Sequence, residues 1–307
     1  MCQKSNTVLG VSFNIIASIL FALLFAYTSL LYSLKGSEIY GWRIFLTLPC
    51  LTIFIIVQGS WNQITSIYRR IYKDFYFFLT RILSSFLLGL QLWLFMWAPS
   101  KGYGLDVSLG YFIMPIIMVI IGQVVFKERL SRLQKLSCFF ALIGIVNMLI
   151  ITKTLTWPTL LICLGYPIYF WLRQKTNTNN IGGLWFDMIL SIPISLFFIF
   201  TGNAFSGELI NHSEIIWLIV GLGLISASAL GFQSLSAAHL NLSLFGLLVY
   251  VEPILLLGVS LIMGESINEA ELPTYIAIWL AVLVLIIEGI SKLRNTYKHH
   301  AIKTKKP

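Results

Sequence analysis

Residues 8–32 read VLGVSFNIIASILFALLFAYTSLLY, a run of 25 positions without a charged side chain. About 20 apolar residues in a helix are enough to cross the roughly 30 Å hydrocarbon core of a bilayer. The run is too long for a signal-peptide core and no clear cleavage site follows it, so a retained first span is expected. Working outward, apolar runs bounded by charge, glycine or proline recur at about 8–33, 41–59, 75–97, 107–126, 134–152, 156–172, 183–202, 214–235, 243–263 and 273–291. Ten spans follow, with connections too short for a separate soluble domain. The composition agrees. Of 307 residues, 58% are hydrophobic and 11% charged, against about 25% charged in soluble domains. A soluble enzyme and a disordered chain are excluded, and the expected fold class is an all-α polytopic membrane protein.

Charge orients the spans. With the N-terminus inside, sixteen of the 21 lysines and arginines fall in cytoplasmic segments. Lys35, Lys101 and Lys153 fall outside, while Arg43 and Arg81 lie within spans. This positive-inside bias predicts that both termini are cytoplasmic. It also accounts for the net charge of +9 without a nucleic-acid partner. The cysteines (Cys2, Cys50, Cys138 and Cys163) form no paired motif, and His299 and His300 sit in a basic tail over 292–307. Neither a metal nor a cofactor is expected.

Two stretches of the chain resemble each other. Trp42-Arg43 is followed by Thr47 and Pro49, and Phe186-Asp187 by Ser191 and Pro193, at an offset of 144 throughout. Gly110–Pro115 leading to Lys127-Glu128 also matches Gly246–Pro253 leading to Gly264-Glu265, with Pro-to-Glu intervals of 13 and 12 residues and hence one gap. The reading is two five-span halves, 8–152 and 156–291. An odd number of spans forces the second half to enter the membrane upside down. Inverted repeats of this kind place a ligand site near the midplane, between halves that alternate in access. Pro115 and Pro253 fall near the middle of spans four and nine, where a missing N–H can kink a helix. They are read as hinges, with simple helix packing as the alternative.

On these residues the chain resembles the drug/metabolite transporter superfamily, built of two five-helix EamA repeats, and most closely its RarD branch. The resemblance is carried by Trp42-Arg43, Trp93–Ala98, Ser108–Ile113 with Pro115, Glu128-Arg129, Tyr169, Arg173 and Asp187. It departs from the family at Lys127, where a glycine is usual, and at Glu252, where no acid is expected. The resemblance implies a multi-pass protein of the bacterial cytoplasmic membrane. It also implies efflux of small organic molecules, the branch being linked by name to chloramphenicol sensitivity.

An ionisable group inside a span costs about 3 kcal/mol on insertion scales, so each should face a partner or a cavity. Arg43 and Asp106, at the heads of spans two and four, are expected either to pair and meet an anionic substrate group or to lock helices. Asp106 has a third reading, as a cap of span four. Asp187, with Arg173 and Arg81 on the same side, is either an inner-gate ion pair or an interface anchor. Glu288 is close enough to a span end to snorkel. Glu252 lies deep in span nine beside Pro253, where burial penalises its charged form. It is read as a proton-coupling carboxylate or as a structural one.

Trp93, Trp97, Tyr111, Phe112, Tyr166, Tyr169 and Tyr250 are expected near the cavity, where aromatic walls suit amphipathic or aromatic molecules. Small residues at four-residue spacing (Gly223, Ala227 and Gly231; Ser85 and Gly89) are packing stripes. No nucleophile, metal-ligand set or paired acids stand at a useful spacing, so the chain is not read as an enzyme. The expected function is a secondary transporter for a small-molecule substrate, with proton coupling through Glu252 as one reading. An uncoupled facilitator is the alternative, and a non-transporting structural protein is the more remote one.

Overall fold

The structure, a computed structural model, describes residues 3–31, 33–98, 101–202, 213–262 and 269–303. Among them every regular element is helical. The helices are α1 (Gln3–Thr28), α2 (Gly36–Val57), α3 (Trp61–Lys73), α4 (Phe75–Trp97), α5 (Gly104–Val124), α6 (Arg132–Thr152) and α7 (Trp157–Lys175). They continue as α8 (Ile181–Phe200), α9 (Ser213–His239), α10 (Leu242–Leu248), α11 (Val251–Ile262) and α12 (Leu272–Lys303). Counting α10 and α11 as one, nine helices among the described residues are long and apolar enough to cross a membrane. The helix α7, with Arg173 and Lys175 in its last turn, is not among them.

Three features differ from the sequence reading. The connection between spans two and three is a helix, α3, with Arg69, Arg70 and Lys73 on an otherwise amphipathic surface. Span nine is not a kinked helix but two helices meeting at Val249–Tyr250. The cause is Pro253, which has no N–H to give and whose ring excludes the carbonyl four residues back, that of Val249. That carbonyl instead accepts the Glu252 N–H at 3.0 Å. Pro115 makes no such break, and α5 runs through it. Lastly, α12 extends to Lys303 through most of the segment read as a tail. The Gly264-Glu265 part of the proposed repeat lies outside the described residues.

The polar termini of four helices share one end of the bundle. Asp74, Ser131, Asn180 and Asn241 each accept a backbone N–H at the start of α4, α6, α8 and α10, satisfying donors that a helix start leaves open. Glu128 adds two more acceptors, receiving the N–H groups of Leu242 at 2.9 Å and Ser243 at 2.8 Å. Helix α3 also grips the connection between α7 and α8 and the start of α8 at this end: Arg70 donates to the Thr176 carbonyl, and Gln63 accepts the Gly182 N–H. At the crossings between helices small residues permit close approach, as Gly41 does against the Ser195 carbonyl, where a Cβ would lie 2.8 Å away.

Helix α1 packs on α9, and α7 on α4; α5 packs on α7, and α11 on α1; α9 packs on α2, and α4 on α8. The remaining large contacts are α2 with α8, α5 with α10 and α6 with α12. Exchanging α1, α2, α4, α5 and α6 for α7, α8, α9, α10–α11 and α12 therefore returns the same set of contacts. The outer surface is apolar, with Val57, Ile150, Phe200, Trp217 and Ile262 exposed. That suits acyl chains and not water.

Candidate functional site

Where α1, α2, α4, α5, α7, α9 and the α10–α11 break converge, a central cavity holds Arg43, Tyr111, Tyr166, Gln233 and Glu252 among apolar walls that include Phe21, Phe95 and Phe170. Its free volume is about 20 Å³, room for about one water. Arg43 is 1% exposed and Glu252 8%. Arg43 Nε donates to Ser226 Oγ at 2.8 Å. Its Nη1 and Nη2 have no hydrogen-bond partner among the described residues. Glu252 lines the same cavity without closing to ion-pair distance. It stands in the first turn of α11, where the open N–H groups and helix dipole favour negative charge.

The structure separates residues that the sequence reading grouped. Arg43 does not pair with Asp106. Because α5 packs on α7 and not on α2 at that end, Asp106 is held by Thr156 and Thr159, which donate to its carboxylate and its carbonyl at 2.8 Å each. Tyr111 lines the cavity, but Phe112, about 100° further round the helix, faces away. There the Tyr250 hydroxyl donates to the Phe112 carbonyl at 2.8 Å, within a second apolar cluster shared with α6 and α12. Trp93 and Trp97 are also outside the cavity. They stack 4.8 Å apart, and Trp97 stacks on Tyr103 and meets Trp157 at the end opposite the polar loops. Glu288 does not snorkel; it is 4% exposed and accepts from Gln134.

One face of α7 carries Tyr166 and Phe170 to the cavity; another carries Tyr169 and Arg173 to a second buried site. There Arg81 Nη1 approaches Asp187 Oδ1 at 3.5 Å, with both side chains fully buried. The Tyr169 hydroxyl donates to Asp187 Oδ2 at 3.1 Å and accepts from Arg173 Nη1 at 2.6 Å. Arg173 also donates to the Thr178 and Asn180 carbonyls and to Ser234. The network ties α4, α7, α8 and α9 together beside the loop 176–180. Sequence reasoning named its charged members but missed Ser234, as it missed Ser226, Gln233 and Phe21 around the cavity. An amide or hydroxyl within an apolar span was the available signal for the first three.

A transporter of Pasteurella multocida described as uncharacterized is 32% identical to this chain over 94% of it and 99% of that protein. The chloramphenicol-sensitive protein RarD of Pseudomonas aeruginosa is 34% identical over 93% of this chain and 96% of its own length. The chain belongs to the RarD-like transporters. It is accordingly a multi-pass bacterial membrane transporter. Protein RarD of Escherichia coli is a more distant RarD-like relative, at 24% identity over 94% of the chain. No family model matches the chain. A solved crystal structure shares its fold, with a TM-score of 0.58 at 12% identity, covering 92% of this chain and 98% of the other.

Proposed function

We propose that this RarD-like protein is a secondary carrier that exports small amphipathic or aromatic organic molecules by alternating access. We place it in the bacterial cytoplasmic membrane with both termini in the cytoplasm. The observation that carries the reading is the central cavity, lined from both halves of the chain yet only about 20 Å³ in volume. Pockets for small organic molecules are about 300–1,000 Å³, so the halves must part to admit one. The packing that repeats on exchange supports two inverted halves, 8–152 and 156–291, rocking about a fixed site. The Arg81–Asp187–Tyr169–Arg173 network is then the inner gate, at the end rich in arginine and lysine. The Trp93–Trp97–Tyr103 stack closes the outer end. The broken span nine, at Val249–Tyr250 beside Pro253, is the hinge, with Pro115 in α5 facing it. The direction of transport comes from the family resemblance and from the name of the chloramphenicol-sensitive relative.

Flux in proteoliposomes, with and without an imposed proton gradient, tests the mechanism. A carrier should saturate and respond to the gradient; flux that saturates at no concentration and ignores the gradient means an uncoupled facilitator. Topology is tested in intact cells by cysteines placed at Lys101 and Arg132. Lys101→Cys should label from outside and Arg132→Cys should not, and equal labelling of both would overturn the orientation.

A further inference from the structure

Of the side chains lining the central cavity, Arg43 is the one with buried donors that lack an acceptor among the described residues. Both are Nη groups, the pair that forms the open end of the guanidinium once Nε is committed to Ser226. Two parallel N–H groups at that spacing match the two oxygens of a carboxylate. The surrounding Phe21, Phe95, Tyr111, Tyr166 and Phe170 offer ring faces and edges to an apolar body. Resting on the carrier reading above, we propose that the substrate is an organic monoanion, a carboxylate on an aromatic or apolar body. Arg43 takes its carboxylate end-on, and Glu252 picks up one proton as the anion binds.

Charge balance gives the reason for the proton. In this proposal the substrate-free cavity holds the Arg43 cation and a Glu252 anion, favoured by Arg43 and by the N-terminus of α11, and its net charge is zero. An added carboxylate would leave one uncompensated negative charge in a low-dielectric space, which is costly. One proton forming an O–H bond on the Glu252 carboxylate restores zero, and the same proton leaves when the anion leaves. Empty and loaded sites then cross between states with equal charge, and anion and proton travel in the same direction. Outward movement is driven by the substrate's own gradient. The groups facing Glu252 are Arg43 from α2, Tyr111 from α5 and Tyr166 from α7, while α1 and α9 present the uncharged Phe21 and Gln233. Among the described residues no second acid lines the cavity that could take the proton instead.

Benzoate, benzamide and benzylamine place an anion, a neutral group and a cation on one ring. Their binding to the purified full-length carrier is read by thermal shift and by quenching of tryptophan fluorescence between pH 6 and 8, a range in which benzoate stays ionised. Benzoate should bind, with proton uptake from weakly buffered solution approaching one per site. Its affinity should fall up to tenfold per pH unit toward the alkaline end, while benzamide and benzylamine fail to compete. Arg43→Gln should weaken benzoate at least tenfold. Glu252→Gln should keep binding and lose both the pH dependence and the proton uptake. Binding of benzamide or benzylamine equal to that of benzoate would overturn the assignment, as would proton-independent benzoate binding to the wild type. If Arg43→Gln does not fold, the wild-type proton count and Glu252→Gln still decide. Protein-dependent flux of benzylamine without benzoate binding removes the anion assignment and leaves the carrier. Benzoate binding without flux of any probe removes the carrier and leaves the site.

Discussion

Arg43 and Asp187 stand 144 residues apart at matching points of the two similar stretches, yet their surroundings are opposites. Arg43 has one hydrogen bond, to Ser226 of α9, and turns two donors into a cavity. Asp187 is closed in by Arg81 and Tyr169, with Arg173 behind. Even the hydroxyl partners correspond: Ser226 of α9 serves Arg43, and Ser85 of α4 donates to the Asp187 carbonyl at 2.7 Å. The same frame therefore supports two uses of buried charge. A charge left open at the centre leaves interaction energy for a ligand, whereas a charge matched by its neighbours holds helices together.

The sharpest way to break this comparison is to remove the acid. Asp187→Ala leaves Arg81 and Arg173 buried with no carboxylate between them, and breaking one side of a buried pair costs about 3–5 kcal/mol. A large fall in melting temperature in detergent is expected, with poor recovery of folded protein. Combining Asp187→Leu with Arg81→Met should recover most of that stability, because the paired charges leave together and Arg173 keeps its carbonyl and hydroxyl acceptors. Flux through the double variant should lose its tight gating. If the single variant melts like the wild type, the network carries no structural weight.

Arg43→Met should act in the other direction. It gives up one hydrogen bond to Ser226 and removes a buried charge that has no carboxylate in contact, and Glu252 can take a proton to keep the cavity neutral, so its melting temperature should stay unchanged or rise slightly. Transport should nevertheless be lost. A fall comparable with that of Asp187→Ala would show that Arg43 is held by its surroundings as firmly as the inner network, and the contrast between the two sites would disappear.

Most of the fold was legible because the bilayer imposes length and apolarity on each span. Residues 8–32 and the runs after them could be read by counting. What escaped was decided by direction around a helix or by contact between distant segments. Tyr111 and Phe112 are neighbours in sequence, and only the packing of α5 against α7 and α10 shows which one meets the cavity. The Arg43–Asp106 pair failed because depth was legible and the lateral order of helices was not. The broken span nine was half legible, since Pro253 gave the cause but not the exact turn at Val249–Tyr250. Helix α3 was hidden by its low apolarity, which reads as a loop when only membrane spans are sought. Glu128 was legible as part of the repeat and of the family resemblance, but its role as an acceptor for α10 needed the second half in place.

The smallest expected effect sharpens the line between cavity and frame. Tyr250 was expected in the cavity, but its hydroxyl bonds the Phe112 carbonyl within the α5–α10 crossing, and its side chain is fully buried. Tyr250→Phe keeps the ring and its packing and removes one hydrogen bond. Hydrogen bonds between membrane helices average about 0.6 kcal/mol, so melting should fall by a degree or two at most. Substrate affinity and the pH profile should be unchanged, because neither Arg43 nor Glu252 loses a neighbour. Tyr111→Phe is the matched control from the cavity wall, and its affinity should change while its melting temperature holds. A loss of affinity in Tyr250→Phe equal to that in Tyr111→Phe would mean that Tyr250 turns into the cavity during the transport cycle. The α5–α10 crossing would then be part of the moving machinery and no longer part of the frame.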